Sequence, residues 1–598
     1  MRFWDNKVSR IALALAGAGL LAAIPAIGQE APESLLPEGF GDPVTAPPPA
    51  PPPGQRPAEP ARPSEAVAVP ESPLVPAEEG AEDEEEQEEA LTHFNLPSAP
   101  LRPIDSVGPL HEGDGGLGNG AFGASDGAIL SQVMRRLDAP LPSRWASILL
   151  RRALLSNVPT PRGVSAPDWI AERAWLLLRM GEADSARLLV QSVDVSQYSP
   201  KLFQVAMQTS LALGDPAGLC PLAEPASAAS RETSWILARA MCAALSGEPG
   251  TASAAIDEAR RTRLGGTRSI DLLLAEKVVG AGVDGRRSVT IEWDGVEQLT
   301  AWRYGLATAT NVEIPARLFR TAGPQVAGWR ARASMLPDSE RIATGRRAAV
   351  LGVLSGAALV DLYGAVLDRM DPADTAGTPP LALREAYAGE DLDARLGAMR
   401  DIWGESDDAA ERYANLILTA RAAARVPVDP DYVADTPSLI GAMFTAGFDN
   451  GATRWSRAVE DAEQGDAWAL LAVGSPRPLV TVNASRAESY AGSVDSLKGQ
   501  FLVAALAGLD RLSLEEASGL AGELEFDLTR GGKWASLLDR AVEARQPGTV
   551  VLLAALGMQT VDWRYVPPAH LYRIVSALRR VGLEPEARMI AAEALTRV

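Results

Sequence analysis

The stretch LLLRMGEADSARLLV, residues 176–190, decides the fold, because its central phrase returns at constant spacing. Gly181 is followed by Gly214 in SLALGDPAGLCPL (210–222), Gly247 in AALSGEPGTASAA (243–255) and Gly280 in EKVVGAG (276–282), each 33 residues after the last. Glu182, Asp215 and Glu248 follow the first three glycines directly, and Ala186, Leu219 and Ala252 stand five residues beyond them. Helical sequence flanks every copy. A period in the thirties, with a Gly-acid turn between two helical runs, is what stacked helix pairs produce. The expectation is an all-α chain, an α-solenoid of helix-turn-helix repeats placed after a disordered N-terminal linker.

Composition agrees with helices packed through small residues. The 598 residues are 46% hydrophobic but only 5% aromatic, and alanine, the best helix former, is plentiful. Five residues are lysine and 51 are arginine. Arginine suits phosphate, but its abundance alone does not make a phosphate-binding surface. The net charge of −21 is unevenly spread: residues 1–28 carry +2 and residues 29–90 carry −14, which leaves −9 on the other 508. No basic face is evident, so nucleic acid is not expected as a partner.

Taken in order, residues 1–28 read as a signal peptide. Arg2, Lys7 and Arg10 precede an apolar run from Ile11 to Ala23, and small residues end at Gly28, the expected cleavage point. That run is short for a bilayer span, which needs about 20 residues, so a membrane contact is expected only if the segment stays on as an anchor. Residues 29–125 read as a linker in three parts: proline-rich, then nine acids between Glu78 and Glu89, then the glycine segment GDGGLGNGAFGASDG. Residues 126–285 hold the clean repeats, 286–376 an irregular helical segment, and 377–598 further helical repeats. In the irregular part, SVTIEWDG alternates Val289, Ile291 and Trp293 and reads either as a short strand or as an extended connection; RPLVTVN (477–483) is the other strand-like run.

Cys220 and Cys242 are the only cysteines. They fall on adjacent arms of neighbouring repeats, and in an exported chain a disulfide between them would stabilise by roughly 3 kcal/mol. Two buried thiols are the alternative. Pro221 and Pro225 should make the Cys220 arm short and irregular.

The repeat phrase resembles that of the tetratricopeptide family, on Gly181-Glu182 with Ala186 and Gly247-Glu248 with Ala252. Gly214-Asp215 has Leu219 where the family has alanine, Gly280 lacks the acid, and echoes at Gly389 and Gly582 fall out of register. The resemblance covers about 115 residues. It implies antiparallel helix pairs stacked into a curved superhelix whose concave face holds protein segments.

Motifs that carry chemistry are sparse. His93, His111 and His570 are too scattered for a metal site, and neither a Walker loop nor paired zinc-type cysteines occur. Gly118, Gly120 and Gly123 spell GxGxxG without a preceding strand. Glu405-Ser406 and Glu488-Ser489 lack the continuation found in lytic transglycosylases. No cofactor, metal or catalytic group is therefore expected. The residues that most resemble a binding surface are Trp293, Trp302, Arg303, Trp329 and Arg330, since tryptophan beside arginine is favoured at interfaces; the same residues would equally fill a core. These readings describe an exported, periplasmic scaffold for protein binding or assembly in the cell envelope. Its expected partners are envelope proteins, with peptidoglycan a second candidate. An enzyme or accessory factor of peptidoglycan turnover and a passive envelope spacer are the other readings.

Overall fold

A computed structural model describes residues 100–230, 232–261, 269–282 and 289–598. The segment expected to be a signal peptide and the proline-rich and acidic parts of the expected linker lie outside the described residues. The protein is all-α: the described residues form 28 α-helices and one strand pair, Ser106–Val107 against Val158–Pro159. Neither strand-like run forms a strand. Trp293 to Val296 closes a turn instead, with the Val296 N–H donating to the Trp293 carbonyl at 3.2 Å.

The phrase that sets the period is a helix stop. Gly181, Gly214 and Gly247 have φ of 89°, 66° and 78°, a left-handed conformation that glycine adopts without a Cβ penalty. At each, two main-chain N–H groups reach back to carbonyls that the helix leaves open. The Gly181 N–H donates to Leu178 at 3.0 Å and the Glu182 N–H to Leu177 at 2.9 Å. Gly582 repeats the geometry, with φ 86°. Gly280 does not, because it lies within the helix Ile270–Gly282, and there the 33-residue period ends. The same turn nevertheless recurs without glycine. Asn311, Glu463, Asp510, Glu525 and Arg545 have φ between 52° and 62°, and each carries the same pair of reaching bonds. At Asp510 these run to Ala507 (3.1 Å) and, from the Arg511 N–H, to Leu506 (2.8 Å).

The first hairpin pairs Ala166–Arg179 with Ala183–Val190. Ser165 caps its start, and the next long helix, Pro200–Ala212, is capped likewise by Ser199, with proline in the first turn, where a missing N–H costs nothing. The disulfide expected between Cys220 and Cys242 is present, with a Cα–Cα distance of 5.3 Å. It joins the helix Cys220–Ala229 to the helix Thr233–Leu245. The first of these is short, is preceded by a 3-10 turn at Ala217–Leu219, and carries Pro225 inside it. Pro221 falls in its first turn and is tolerated there.

The irregular segment folds back across the ends of the first repeats. The helix Ala301–Ala309 sets Gly305 against the last turn of Pro200–Ala212, where a Cβ would lie 2.4 Å from the Leu211 carbonyl oxygen. The helix Val326–Arg332 sets Gly328 against the Gly181 turn, where a Cβ would lie 2.7 Å from the Gly181 oxygen. Two of the period-setting turns are thus also the seats of a later segment.

Residues from the two sequence ends of the helical body also meet. The helix Glu584–Arg597 packs among Arg144–Leu155, Ala409–Ala423, Thr436–Thr445, Gly465–Gly474, Ser496–Gly508 and Pro568–Arg580. The glycine segment belongs to this body, which corrects the linker boundary at residue 125. Leu117, Ala121 and Phe122 are buried, the Phe122 and Trp169 rings meet edge to face at 5.3 Å, and the Ala121 carbonyl accepts from the Gly548 N–H at 2.7 Å. Its glycines supply left-handed turns at Gly115 and Gly123, so a stretch that reads as unstructured is a tightly turned strap.

Arginine closes helix ends. The buried Arg173 guanidinium donates to the carbonyls of Leu154 (2.7 Å) and Ser156 (2.7 Å), at and just beyond the end of the helix Arg144–Leu155, and to that of Val107 (2.8 Å) in the strand Ser106–Val107. Arg179 does the same for Met134 and Leu137, and Arg511 for Ala472 and Ser475. Burial pulls Arg173 down to about 9 and Arg179 and Arg511 to about 10, which still leaves them cationic at neutral pH. A planar fork of donors suits two or three open carbonyls at once, as a lysine ammonium does not. Part of the arginine excess thus has a structural use that composition alone does not reveal.

Candidate functional site

The tryptophan–arginine group is brought into the fold-back segment and used there for packing. Trp329 is buried and its indole N–H donates to the Leu178 carbonyl at 3.3 Å, while its ring meets Tyr304 at 5.7 Å. The Trp293 indole donates to the Glu313 carbonyl at 2.9 Å. The Trp302 indole donates to the Asp271 carbonyl at 3.1 Å, and Arg303 holds the Asp271 carboxylate with two bonds, of 2.9 and 3.1 Å. Arg330 lies over the Phe319 ring at 4.4 Å and faces Glu340 at 3.7 Å. Each side chain has its partners within the protein. The five do not converge on one open face, since Trp302 and Arg303 tie to the helix Ile270–Gly282 and Trp329 to Ala166–Arg179.

A different polar cluster, largely buried, comes together on the helices Ala166–Arg179 and Pro200–Ala212. Ser199 Oγ donates to Asp168 Oδ1 at 2.7 Å, and the Lys201 ammonium pairs with Glu172. These contacts join residues 31 and 29 apart in sequence, so Ala166–Arg179 and Pro200–Ala212 run side by side in register. Gln204 and Gln208 lie one helical turn apart on Pro200–Ala212, and therefore on one face of it. Arg135, from the helix Gly127–Arg136, closes the stripe at one end by reaching Glu172 at 2.9 Å.

The stripe is rich in acceptors that the protein does not fill. Glu172 is buried, and both cations meet its Oε1. Its Oε2 has no partner, and neither do Gln204 Oε1 and Gln208 Oε1 on side chains 6% and 9% exposed. Leaving a buried acceptor unpaired costs about 1–3 kcal/mol, so three on two adjacent helices mark a cluster in which added donors would be favourable. Sequence reading missed them, because glutamine at i and i+4 on a helix carries no motif. The only available signal was polarity inside an otherwise apolar helix, KLFQVAMQTSLA (201–212).

Among the described residues, no helix is long and apolar enough to cross a membrane. Compared with known proteins, the chain matches no family model, no curated protein and no solved structure.

Proposed function

We propose that the protein is an exported helical scaffold of the cell envelope that holds a segment of another protein along the stripe of Glu172, Gln204 and Gln208. The row of buried, unfilled side-chain oxygens carries this reading. An extended peptide offers main-chain N–H donors at a spacing that two or three such acceptors meet, and glutamine can turn its amide to serve either a donor or an acceptor. Lys201 and Arg135 at the edge of the row favour a segment of neutral or acidic character. Export is supported by the basic-then-apolar start of the sequence and by the disulfide, which persists in oxidising compartments.

The test is site-specific photocrosslinking in the intact cell envelope, with the probe placed at Lys201. Discrete protein adducts that disappear with Gln204→Ala and Gln208→Ala are the expected result. Adducts unchanged by those substitutions, or the release of muropeptides from purified sacculi by the protein alone, would overturn the reading.

A further inference from the structure

The connection between the helices Pro547–Gly557 and Pro568–Arg580 holds apolar side chains out in water on an ordered turn. Val561, 75% exposed, is the most exposed large apolar side chain among the described residues, and Tyr565, four positions on, is 64% exposed. Between them Trp563 is fully buried and meets the Phe501 ring edge to face at 6.0 Å. We propose that this turn contacts an anionic phospholipid surface, with Val561 and Tyr565 entering the boundary between headgroups and acyl chains and a collar of Arg136, Arg530 and Lys533 meeting the phosphates. The inference goes beyond the scaffold reading and does not depend on the stripe at Glu172.

The turn is built to present these side chains. Trp563–Tyr565 is a 3-10 turn capped by Asp562, whose carboxylate accepts from the Arg564 N–H at 3.0 Å and holds the Arg564 guanidinium at 3.3 Å. Thr560 Oγ1 donates to the Asp562 carbonyl at 2.9 Å, and the Val566 N–H donates to the Trp563 carbonyl at 3.0 Å. Trp563 and Val566 are locked inside, so Val561 and Tyr565 are held outward. A single exposed apolar residue is ordinary. Two on one ordered turn are apolar area that a protein normally covers or uses. A tyrosine, apolar in its ring and polar at its tip, suits the membrane–water interface.

Cations gather at the same end of these helices. Gln559 Nε2 reaches the Arg136 carbonyl at 3.5 Å, which sets the end of the helix Gly127–Arg136 beside the turn. The Trp534 ring stacks on His570 at 4.4 Å and lies against Gly557, where a Cβ would be 2.3 Å from it. The start of the helix Lys533–Glu543, with the exposed Lys533, is thereby brought to the end of Pro547–Gly557. Arg573 donates to the carbonyls of Thr529 (2.6 Å) and Arg530 (3.1 Å), which ties the exposed Arg530 to the same layer. Among the described residues, Arg136, Arg530 and Lys533 pair with no carboxylate. The neighbouring acids are engaged: Asp562 by Arg564 and Asp527 by Thr529.

Charge decides what covers the turn. Residues 528–582 carry eight Lys or Arg against three acids, a net +5, which leaves −14 on the rest of 91–598. A positive end on an otherwise acidic chain is steered toward an extended anionic plane, and each Lys or Arg held near such a surface contributes about fivefold in affinity. A protein partner would need a groove matched to this one pair of side chains, whereas a lipid surface takes them at any spacing. No helix of the described residues is long and apolar enough to span a bilayer, so the contact proposed is peripheral.

The test uses full-length oxidised protein with an apolar photocrosslinking probe at Val561, and a second preparation with the probe at Leu479, which is 69% exposed and lies outside the turn. Illumination with vesicles of mixed phosphatidylglycerol and phosphatidylcholine is expected to give lipid adducts at Val561 and not at Leu479. Tyr565→Ser should cut them about tenfold, as should Arg136→Glu combined with Lys533→Glu, pure phosphatidylcholine, or raised salt. The Leu479 probe separates the turn from any binding made by the apolar start of the sequence, which would not favour Val561. All three substituted side chains are exposed, and an unchanged thermal melt establishes that each variant is folded. The proposal is overturned if Val561 gives no lipid adducts, if Leu479 gives as many, or if charge reversal leaves them unchanged. It is equally overturned if the Val561 probe in the intact envelope yields discrete protein adducts and no lipid ones, the result expected of a turn that binds protein.

Discussion

The Glu593 carboxylate accepts hydrogen bonds from the main-chain nitrogens of Arg144 (2.8 Å) and Trp145 (3.1 Å) and from Ser143 Oγ (2.6 Å), across 448 to 450 residues of sequence. A helix N-terminus has open donors and a positive end of its dipole, and here a carboxylate from the helix Glu584–Arg597 fills it. Arg597, over the Tyr413 ring at 5.0 Å, faces the same carboxylate at 3.5 Å. Glu593→Ala should destabilise the protein by about 3–5 kcal/mol, the range for removing one partner of a buried charged pair. Glu593→Gln, which keeps the shape and can still accept, should cost less. Urea unfolding followed by tryptophan fluorescence measures both.

The disulfide secures an arm that has few other anchors. In the helix Cys220–Ala229 only Leu222, Ala223 and Ala226 are buried. The bond closes a 22-residue separation, and its loss should cost roughly 3 kcal/mol. Cys220→Ser with Cys242→Ser should lower the melting temperature and open residues 214–230 to limited proteolysis. Wild type treated with dithiothreitol should match the double variant. Equal protease resistance in all three would contradict this account.

Five helix stops carry a side chain in a conformation that suits glycine. A left-handed residue with a Cβ pays about 1–2 kcal/mol, part of which glycine gives back through its freer unfolded chain. Asp510→Gly and Arg545→Gly should therefore each stabilise the protein, by up to about 1 kcal/mol. The same change at the exposed Leu537, inside the helix Lys533–Glu543, should destabilise by a similar amount. Paired denaturation curves give the sign directly.

Glu182, the acid after the first turn glycine, gives a pH dependence of defined sign. Burial raises its carboxyl above the ordinary range, and the Arg151 pair and Ser185 only partly offset this. A folded pKa above the unfolded one means a contribution that is full below the unfolded pKa and is lost as pH rises through the folded value. Wild type should therefore lose stability relative to Glu182→Gln as pH climbs from about 4 towards neutrality. Melting temperatures of the two proteins across that range would show the gap moving the other way if the account is wrong.

The helical class and the first three turns were legible because a left-handed stop is usually written with glycine, and glycine is visible in a sequence. The later stops were hidden because Asn311, Asp510 and Arg545 reach the same conformation with ordinary side chains. The disulfide could be read from its place on adjacent arms, which is a local relation. What could not be read is non-local: the fold-back of residues 289–332, the Glu593 contact and the seating of the glycine strap each depend on residues more than a hundred positions apart. The tryptophan–arginine group left two readings open for the same reason. Tryptophan beside arginine looks alike whether its partner is another protein or a carbonyl of the same chain, and only Leu178 and Asp271 reveal which. The stripe at Gln204 and Gln208 left almost no trace, since an unfilled acceptor is a property of surroundings and not of residue type.

The contact between Glu593 and the Arg144 helix also bears on how the chain matures. A ribosome makes Arg144 long before Glu593, so the early helix must wait with its leading amides open to water until the late one arrives. Folding dominated by such distant pairings is slow, so the body stays half-built until the last helix has been made and has docked.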